Sequence, residues 1–452
     1  MILIKNAKYI LTFDEKEREL EGYDILIEGN VIKRIDKNIQ VSEETYVIDA
    51  SKHVVIPGLV NTHHHFYQTL TRALKGAQNA KLFDWLVYLY PVWAKLDEEA
   101  VYYSTLLASL ELLKTGTTLT QDHMYLYPSS FVGDIPSIQF EATEKIGIRA
   151  ALSRGSMTRG KSKGGLPPDN VVQEIDEVLK HSVQTIEKFH DPSPFSTKRV
   201  ILAPCSPFSV EKSVMIESAK IAREHGVLLH THLAETEDEN TYCMEVYGKR
   251  PLALMEELGW LGKDVYFAHG IWFNDDELKT LKNTETGVSH CPSSNMRLGS
   301  GIARIREMID MGIRVSLAVD GSASNDTSDM LGEVRQAMLL QRIKYGSAGL
   351  TAREALRIAT RGGADILGFE KAGRIQEGYA ADIALFNLDS IQYAGCIEDP
   401  VACLVFTGYN HEADYTIVNG KVVIEHGKST TIDEEEIKQK ANEAANRLIS
   451  RV

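Results

Sequence analysis

Asp320 closes the segment Val-Ser-Leu-Ala-Val-Asp-Gly (315–321), and three histidines far upstream give it a chemical context. His63 and His65 lie in Asn-Thr-His-His-His (61–65), and His232 lies in His-Thr-His-Leu-Ala-Glu (230–235). Each stands where an apolar run ends and a loop begins. Three imidazoles and one carboxylate suit a borderline divalent ion such as zinc or ferrous iron. Such an ion lowers the pKa of a water it binds from about 15.7 to about 7, equivalent to about 12 kcal/mol in favour of hydroxide. Hydrolysis then needs no nucleophilic side chain, and the sequence has no Gly-x-Ser-x-Gly elbow.

The spacing says which histidines face the ion. His63 and His65 are two apart, so in extended chain both point to one side while His64 turns away to pack behind them. His230 and His232 repeat the alternation; His232, nearer the strand end, is the ligand, and His230 lies deeper as a hydrogen-bonded core residue. Glu235 follows three residues on and leans over the ion from the loop, its alternative being a cap on the next helix. His269 ends Val-Tyr-Phe-Ala-His and His290 stands in Ser-His-Cys-Pro. Either can orient water or substrate, with a structural role favoured for His290. A lone buried carboxylate at Asp320 needs a partner, which an ion supplies.

These residues need elements to hold them. Eight short β-rich runs alternate with helical patterns: Ile56–Thr62, Thr117–Asp122, Ile148–Ser153, Val200–Pro204, Val227–His232, Val265–His269, Gly287–His290 and Ile313–Val319. Apolar spacing of three and four marks helices in Tyr102–Lys114, Val214–His225, Glu277–Asn283, Arg304–Met311 and Met330–Lys344. Strand–helix alternation over about 260 residues predicts a closed (β/α)8 TIM-type barrel, whose active face is the C-terminal ends of its strands. The competitor, an open doubly wound sheet, lacks its Gly-x-Gly-x-x-Gly after the first strand. Eight of the fourteen histidines (63, 64, 65, 123, 230, 232, 269 and 290) fall at such strand ends. Residues 1–56 and 370–452 read differently. Alternating stretches such as Ile25–Lys33, Ala381–Phe386 and Tyr415–Ile424 (turning at Asn419-Gly420) predict one β-sandwich built from both termini around a 57–369 barrel. Asp433–Ser450 predicts a charged amphipathic helix packed on the surface.

Bulk properties narrow the partners. A net charge of −14 disfavours nucleic acid, an anionic membrane surface or a highly anionic substrate. No run approaches about 20 apolar residues, so no transmembrane helix is expected. The N-terminus becomes charged too soon for a signal peptide. Five cysteines without a Cys-x-x-Cys pair suggest a reduced, cytoplasmic protein with no disulfide framework. The aromatic segment Leu82–Trp93 fits a helix packing face or a homo-oligomer contact, and Trp85 is its candidate for stacking on a planar ring.

Taken together, Pro57–His65, His230–Glu235, Ala268–Gly270, His290–Asn295, Val319–Ser324 and Gly373–Asp382 resemble the amidohydrolase superfamily, in its branch of triazine hydrolases and deaminases. The resemblance implies one divalent ion, zinc or iron, on His63, His65, His232 and Asp320, with Glu235, His269 and Asp320 catalytic. Two-metal relatives carry a bridging lysine after strand four, where this chain has Leu-Ala-Pro-Cys205. Three finer blocks, His65–Gln68, Gln121–Pro128 and Ala203–Phe208, are similar to the 8-oxoguanine deaminase group. They imply that Gln68, His123 and Cys205, with Trp85, contact a flat oxo-substituted heterocycle. Related guanine deaminases tend to have an arginine near the position of Cys205, so plain guanine is disfavoured. The implied reaction is hydrolytic deamination, with pterins and s-triazines as alternative substrates and a non-catalytic metal scaffold as the rival class.

Overall fold

The computed structural model describes residues 1–407 and 411–451. Eight parallel strands pair in chain order: Leu59–Asn61, Thr117–Asp122, Arg149–Ser156, Lys198–Pro204, Leu228–Leu233, Val265–His269, Gly287–His290 and Val315–Leu317. The Thr62 amide donates to the Leu317 carbonyl at 3.3 Å, which joins the eighth strand to the first. Helices such as Glu98–Lys114, Ile135–Ile146, Ile175–Phe189, Lys212–His225 and Asp275–Thr284 form the crossovers. In Lys212–His225 the buried positions Val214, Met215, Ser218, Ala219 and Ala222 recur at three and four spacing, as an amphipathic helix on a barrel requires. The fold is the expected α/β barrel of TIM type, distorted because its first and last strands are only three residues long.

Side chains from five strands, Val60, Leu119, Ala151, Ile201 and Tyr266, form one buried cluster with Ile366, Leu367 and Phe369. Residues from so many strands meet only inside a closed barrel, so this cluster plugs the interior beneath the site.

The run predicted as one strand at Ile56–Thr62 divides at Gly58. His53–Pro57 pairs antiparallel with Ile383–Asn387 in a seven-stranded terminal sheet, while Leu59–Asn61 begins the barrel. Gly58 permits the break, since a Cβ there would stand 2.0 Å from Thr118 Oγ1. A second sheet of four strands comes from the N-terminal segment alone. Ile4, Ile25, Ile27 and Ile48 of that sheet share a buried cluster with Val55, Ile383, Leu385 and Ile417 of the other, so two faces sandwich one core. Asn419 and Gly420 carry positive φ values of 50° and 75° at the tip of the predicted hairpin, Tyr415–Val418 with Lys421–Glu425. Arg149, at the start of the third barrel strand, fastens the two parts together. Its Nε and Nη2 donate to both oxygens of buried Asp382 at 2.8 and 3.1 Å.

The helix Glu434–Ser450 buries Ile437, Ala441, Ala444 and Leu448, and lies on the barrel helix Glu98–Lys114. Cysteine usage is a correction. Cys396 and Cys403 form a disulfide with Cα atoms 5.9 Å apart, where none was expected. The turn before the helix Pro400–Phe406 returns Cys396 to Cys403 on that helix, a proximity that a spacing of seven residues does not advertise. Among the described residues no helix is long and apolar enough to cross a membrane.

Candidate metal-centred active site

Each imidazole of the triad is oriented from behind. His230 Nδ1–H donates to the Tyr266 carbonyl at 3.0 Å, which leaves His230 Nε2 as an acceptor. His63 Nδ1–H therefore donates to it at 2.8 Å, and His63 Nε2 is left as a bare lone pair with no protein hydrogen bond. His65 Nδ1–H donates to the His123 carbonyl at 2.8 Å, and His232 Nδ1–H to the Cys205 carbonyl at 2.6 Å. All three Nε2 lone pairs thus face one point. His65 Nε2 and His232 Nε2 are 3.2 Å apart, and Asp320 Oδ1 is 3.3 Å from the Nε2 atoms of both His63 and His65.

Lone pairs and a carboxylate at such distances repel unless a cation lies among them. A proton is a poor candidate, because burial pushes the His63 and His232 pKa values well below the ordinary range. Three neutral nitrogen donors and one carboxylate oxygen, buried at His63, His65 and Asp320 and half-buried at His232, fit a divalent ion. His123 also lies within the cluster of donor atoms: its Nε2–H donates to the Ala203 carbonyl at 2.8 Å, its Nδ1 is buried without a protein partner, and its ring stacks on His232.

Two further groups converge on this point. Asn295 Nδ2 donates to His269 Nδ1 at 3.0 Å, so the His269 Nε2–H is free to donate towards the site. That nitrogen is 3.5 Å from Glu235 Oε2. Burial, then the charge of Asp320, raise the Glu235 pKa well above that of an ordinary glutamate. Three non-glycine residues here have left-handed backbone: Ala234 (φ 53°), His269 (φ 73°) and Asp320 (φ 63°). Such conformations cost about 1–3 kcal/mol each and cluster where a site must be held in one geometry.

Above these groups lies a small cavity at the strand ends. Its floor is His65, His232, Glu235, His269 and Asp320; its neutral polar groups are Gln68, Cys205 and Ser324. Leu82, Trp85, Leu86, Tyr125, Phe208 and Leu298 form apolar walls, and no lysine or arginine is among the lining residues. Gln68 comes from the short 3-10 helix Phe66–Thr71, and its Oε1 accepts the Ala323 amide at 3.4 Å. Trp85 belongs to the helix Leu82–Trp93 and donates through Nε1 to the Ala323 carbonyl at 3.2 Å. Both therefore dock on the loop that follows Asp320. Burial pushes the Cys205 thiol up to about 12, so it meets a ligand as a neutral group.

Gln68, Trp85 and Cys205 line the cavity with the catalytic candidates, whereas His123 does not; it stands behind His232. His64 donates from Nε2 to Ser328 Oγ at 3.0 Å, facing away from the donor cluster. Both ring nitrogens of His290 are buried without a protein partner, and His290 does not line the cavity. Tyr125, Phe208, Leu298 and Ser324 were not singled out from sequence. Tyr125 and Phe208 sit inside blocks already noted, and their positions just past strand ends were the available signal.

Comparison with known proteins agrees with this geometry. The model of the amidohydrolase family matches residues 54–423. The chain is 45% identical over 402 residues to an 8-oxoguanine deaminase of Pseudomonas aeruginosa, covering 89% of each. It is 36% identical to a hydroxydechloroatrazine ethylaminohydrolase of Pseudomonas sp. strain ADP, covering 97% of this chain and 94% of that one. Among solved structures, the zinc complex of atrazine chlorohydrolase TrzN from Arthrobacter aurescens TC1 superposes with a TM-score of 0.95 at 33% identity, covering 98% and 100%. The chain belongs to the amidohydrolase family and is a hydrolase of carbon–nitrogen bonds.

Proposed function

We propose that this enzyme hydrolytically deaminates an amino-substituted oxo-heterocycle, with 8-oxoguanine as substrate and urate and ammonia as products. The observation that carries the reading is the convergence of Glu235, His269 and Asp320 on the triad of bare imidazole nitrogens, beneath a cavity without cationic groups. His63, His65, His232 and Asp320 would hold one divalent ion, zinc by preference, which supplies the Lewis acidity that makes water nucleophilic near neutral pH.

The side chains move the protons. Asp320 accepts one proton from the attacking water as its oxygen bonds to the ring carbon bearing the amine. Glu235, kept protonated by burial, gives its proton to the adjacent ring nitrogen. His269 donates from Nε2 to the oxygen as negative charge builds there. Asp320 then delivers its proton to the amine, the carbon–nitrogen bond breaks and ammonia leaves. Glu235 recovers a proton from the new hydroxyl as the carbonyl forms. Two water hydrogens end on the ring nitrogen and on ammonia, and both carboxyl groups return to their starting states.

The walls support the substrate class. Trp85, Tyr125 and Phe208 suit a flat ring, while Gln68, Cys205 and Ser324 offer neutral hydrogen bonds to its oxo and imino edges. A phosphate or carboxylate would find no cationic side chain in these walls. The resemblance to triazine hydrolases favours a second reading, in which an alkylamine or chloride leaves an s-triazine. The test is ammonia release by zinc- and iron-loaded enzyme on 8-oxoguanine, guanine, isoxanthopterin and hydroxyatrazine. Expected is a kcat/KM for 8-oxoguanine about 100-fold above the others. No ammonia from 8-oxoguanine at full metal loading overturns the substrate assignment.

A further inference from the structure

Glu239 occupies the first turn of the helix Glu237–Tyr247, where acidic residues ordinarily face water and cap the helix. Here it is only 1% exposed. Its Oε2 accepts the backbone amide of Glu235 at 2.9 Å, reaching past the N-cap Thr236 to the residue before it. Its Oε1 is buried without a protein partner, and burial pushes its pKa up to about 7.

The residue it grips is held from the other side as well. Leu233 and Ala234 carbonyls accept the amides of Gly270, Ile271 and Trp272 at 2.9–3.1 Å. The left-handed turn at Ala234 is thereby pinned between the strand-six loop, which carries His269, and the Glu239 carboxyl. Nothing else in the helix bonds the Glu235 amide.

We propose that Glu239 is a positioning residue whose grip on the Glu235 amide aims the Glu235 carboxyl at the reacting ring. The inference rests on the proton-transfer role given to Glu235 above. It requires an acceptor at residue 239 and not a charge, since one carboxylate oxygen bonds nothing in the protein. A glutamine presents the same acceptor; an alanine leaves a buried amide unpaired.

The experiment compares E239A and E239Q, each alone and combined with E235Q, by steady-state kinetics and by hydrogen–deuterium exchange of the peptide spanning residues 233–239. E239A should lower kcat about 10- to 100-fold with KM within about threefold, the scale of a buried amide left unpaired. Exchange in that peptide should accelerate, and E239Q should stay within about threefold of the parent in both measurements. In the E235Q background, adding E239A should change kcat by less than about threefold, because the two act as one unit. Unchanged exchange in E239A, equal losses in E239A and E239Q, or a full multiplicative loss on top of E235Q each overturns the proposal. Should the parent enzyme release ammonia from no heterocycle, the substrate reading fails, while the exchange comparison still decides whether Glu239 fixes the turn.

Discussion

Replacing His230 with leucine removes the acceptor that fixes the proton of His63 on Nδ1. Without it, the 2.8 Å hydrogen bond is gone and the Nδ1–H is left buried against an apolar side chain. In the metal-free protein this strain is relieved by moving the proton to Nε2, which already faces Asp320 Oδ1 at 3.3 Å. That escape is closed once Nε2 must donate its lone pair to an ion. The cost of an unsatisfied buried donor, about 1–3 kcal/mol, therefore falls on the bound state alone. It corresponds to a metal affinity weaker by about 5- to 150-fold, consistent with what removing an outer partner of a ligating histidine generally does. Zinc affinity measured by competition with a chromogenic chelator reads this directly and needs no substrate. His230→Gln, whose amide oxygen is an acceptor of similar reach, should recover most of the loss. An H230L protein that binds zinc as tightly as the parent would refute the tautomer chain from the Tyr266 carbonyl to His63.

Asp320→Asn should lower kcat by about a hundred- to ten-thousandfold, since the amide cannot take a proton from water, and near-parental ammonia release would remove Asp320 from proton transfer. In the proposed mechanism Glu235 acts in its protonated form, and its raised pKa keeps that form populated at pH values that ionise an exposed glutamate. The kcat/KM profile should hold through that range and fall as pH rises through the raised pKa; the same falling limb in E235Q would assign it elsewhere. Arg149→Met strands Asp382, which is 1% exposed, without a cation and should cost about 3–5 kcal/mol in urea unfolding. A loss under about 1 kcal/mol would mean the pair is no stronger than a surface ion pair.

Much of this architecture was legible because period and position coincide. His63, His65 and His232 announce themselves by alternation at the ends of apolar runs, and closure of the barrel follows from counting those runs. What escaped was set by three-dimensional context. The run Ile56–Thr62 looks like one strand, and only the different partners of His53–Pro57 and Leu59–Asn61, namely Ile383–Asn387 and Thr117–Asp122, divide it. His123 shares the strand-end position of a substrate contact, but its ring lies under His232. Tyr125, Phe208 and Leu298 have the composition of core residues and differ from them only in facing a cavity. Glu239 reads as an ordinary acidic helix start, and only the folded chain shows it buried and turned back onto the Glu235 amide.

The carbonyls of His123, Cys205 and Tyr266 orient the metal-site histidines, and every side chain at those three positions has the same carbonyl to offer. The Cys205 side chain, meanwhile, faces the ligand cavity. On the proposed function, one residue would serve the ion through its main chain and the substrate through its side chain, so mutation could retune the second without disturbing the first. A lineage built this way can wander between heterocycles one cavity residue at a time while its hydrolytic centre stays intact.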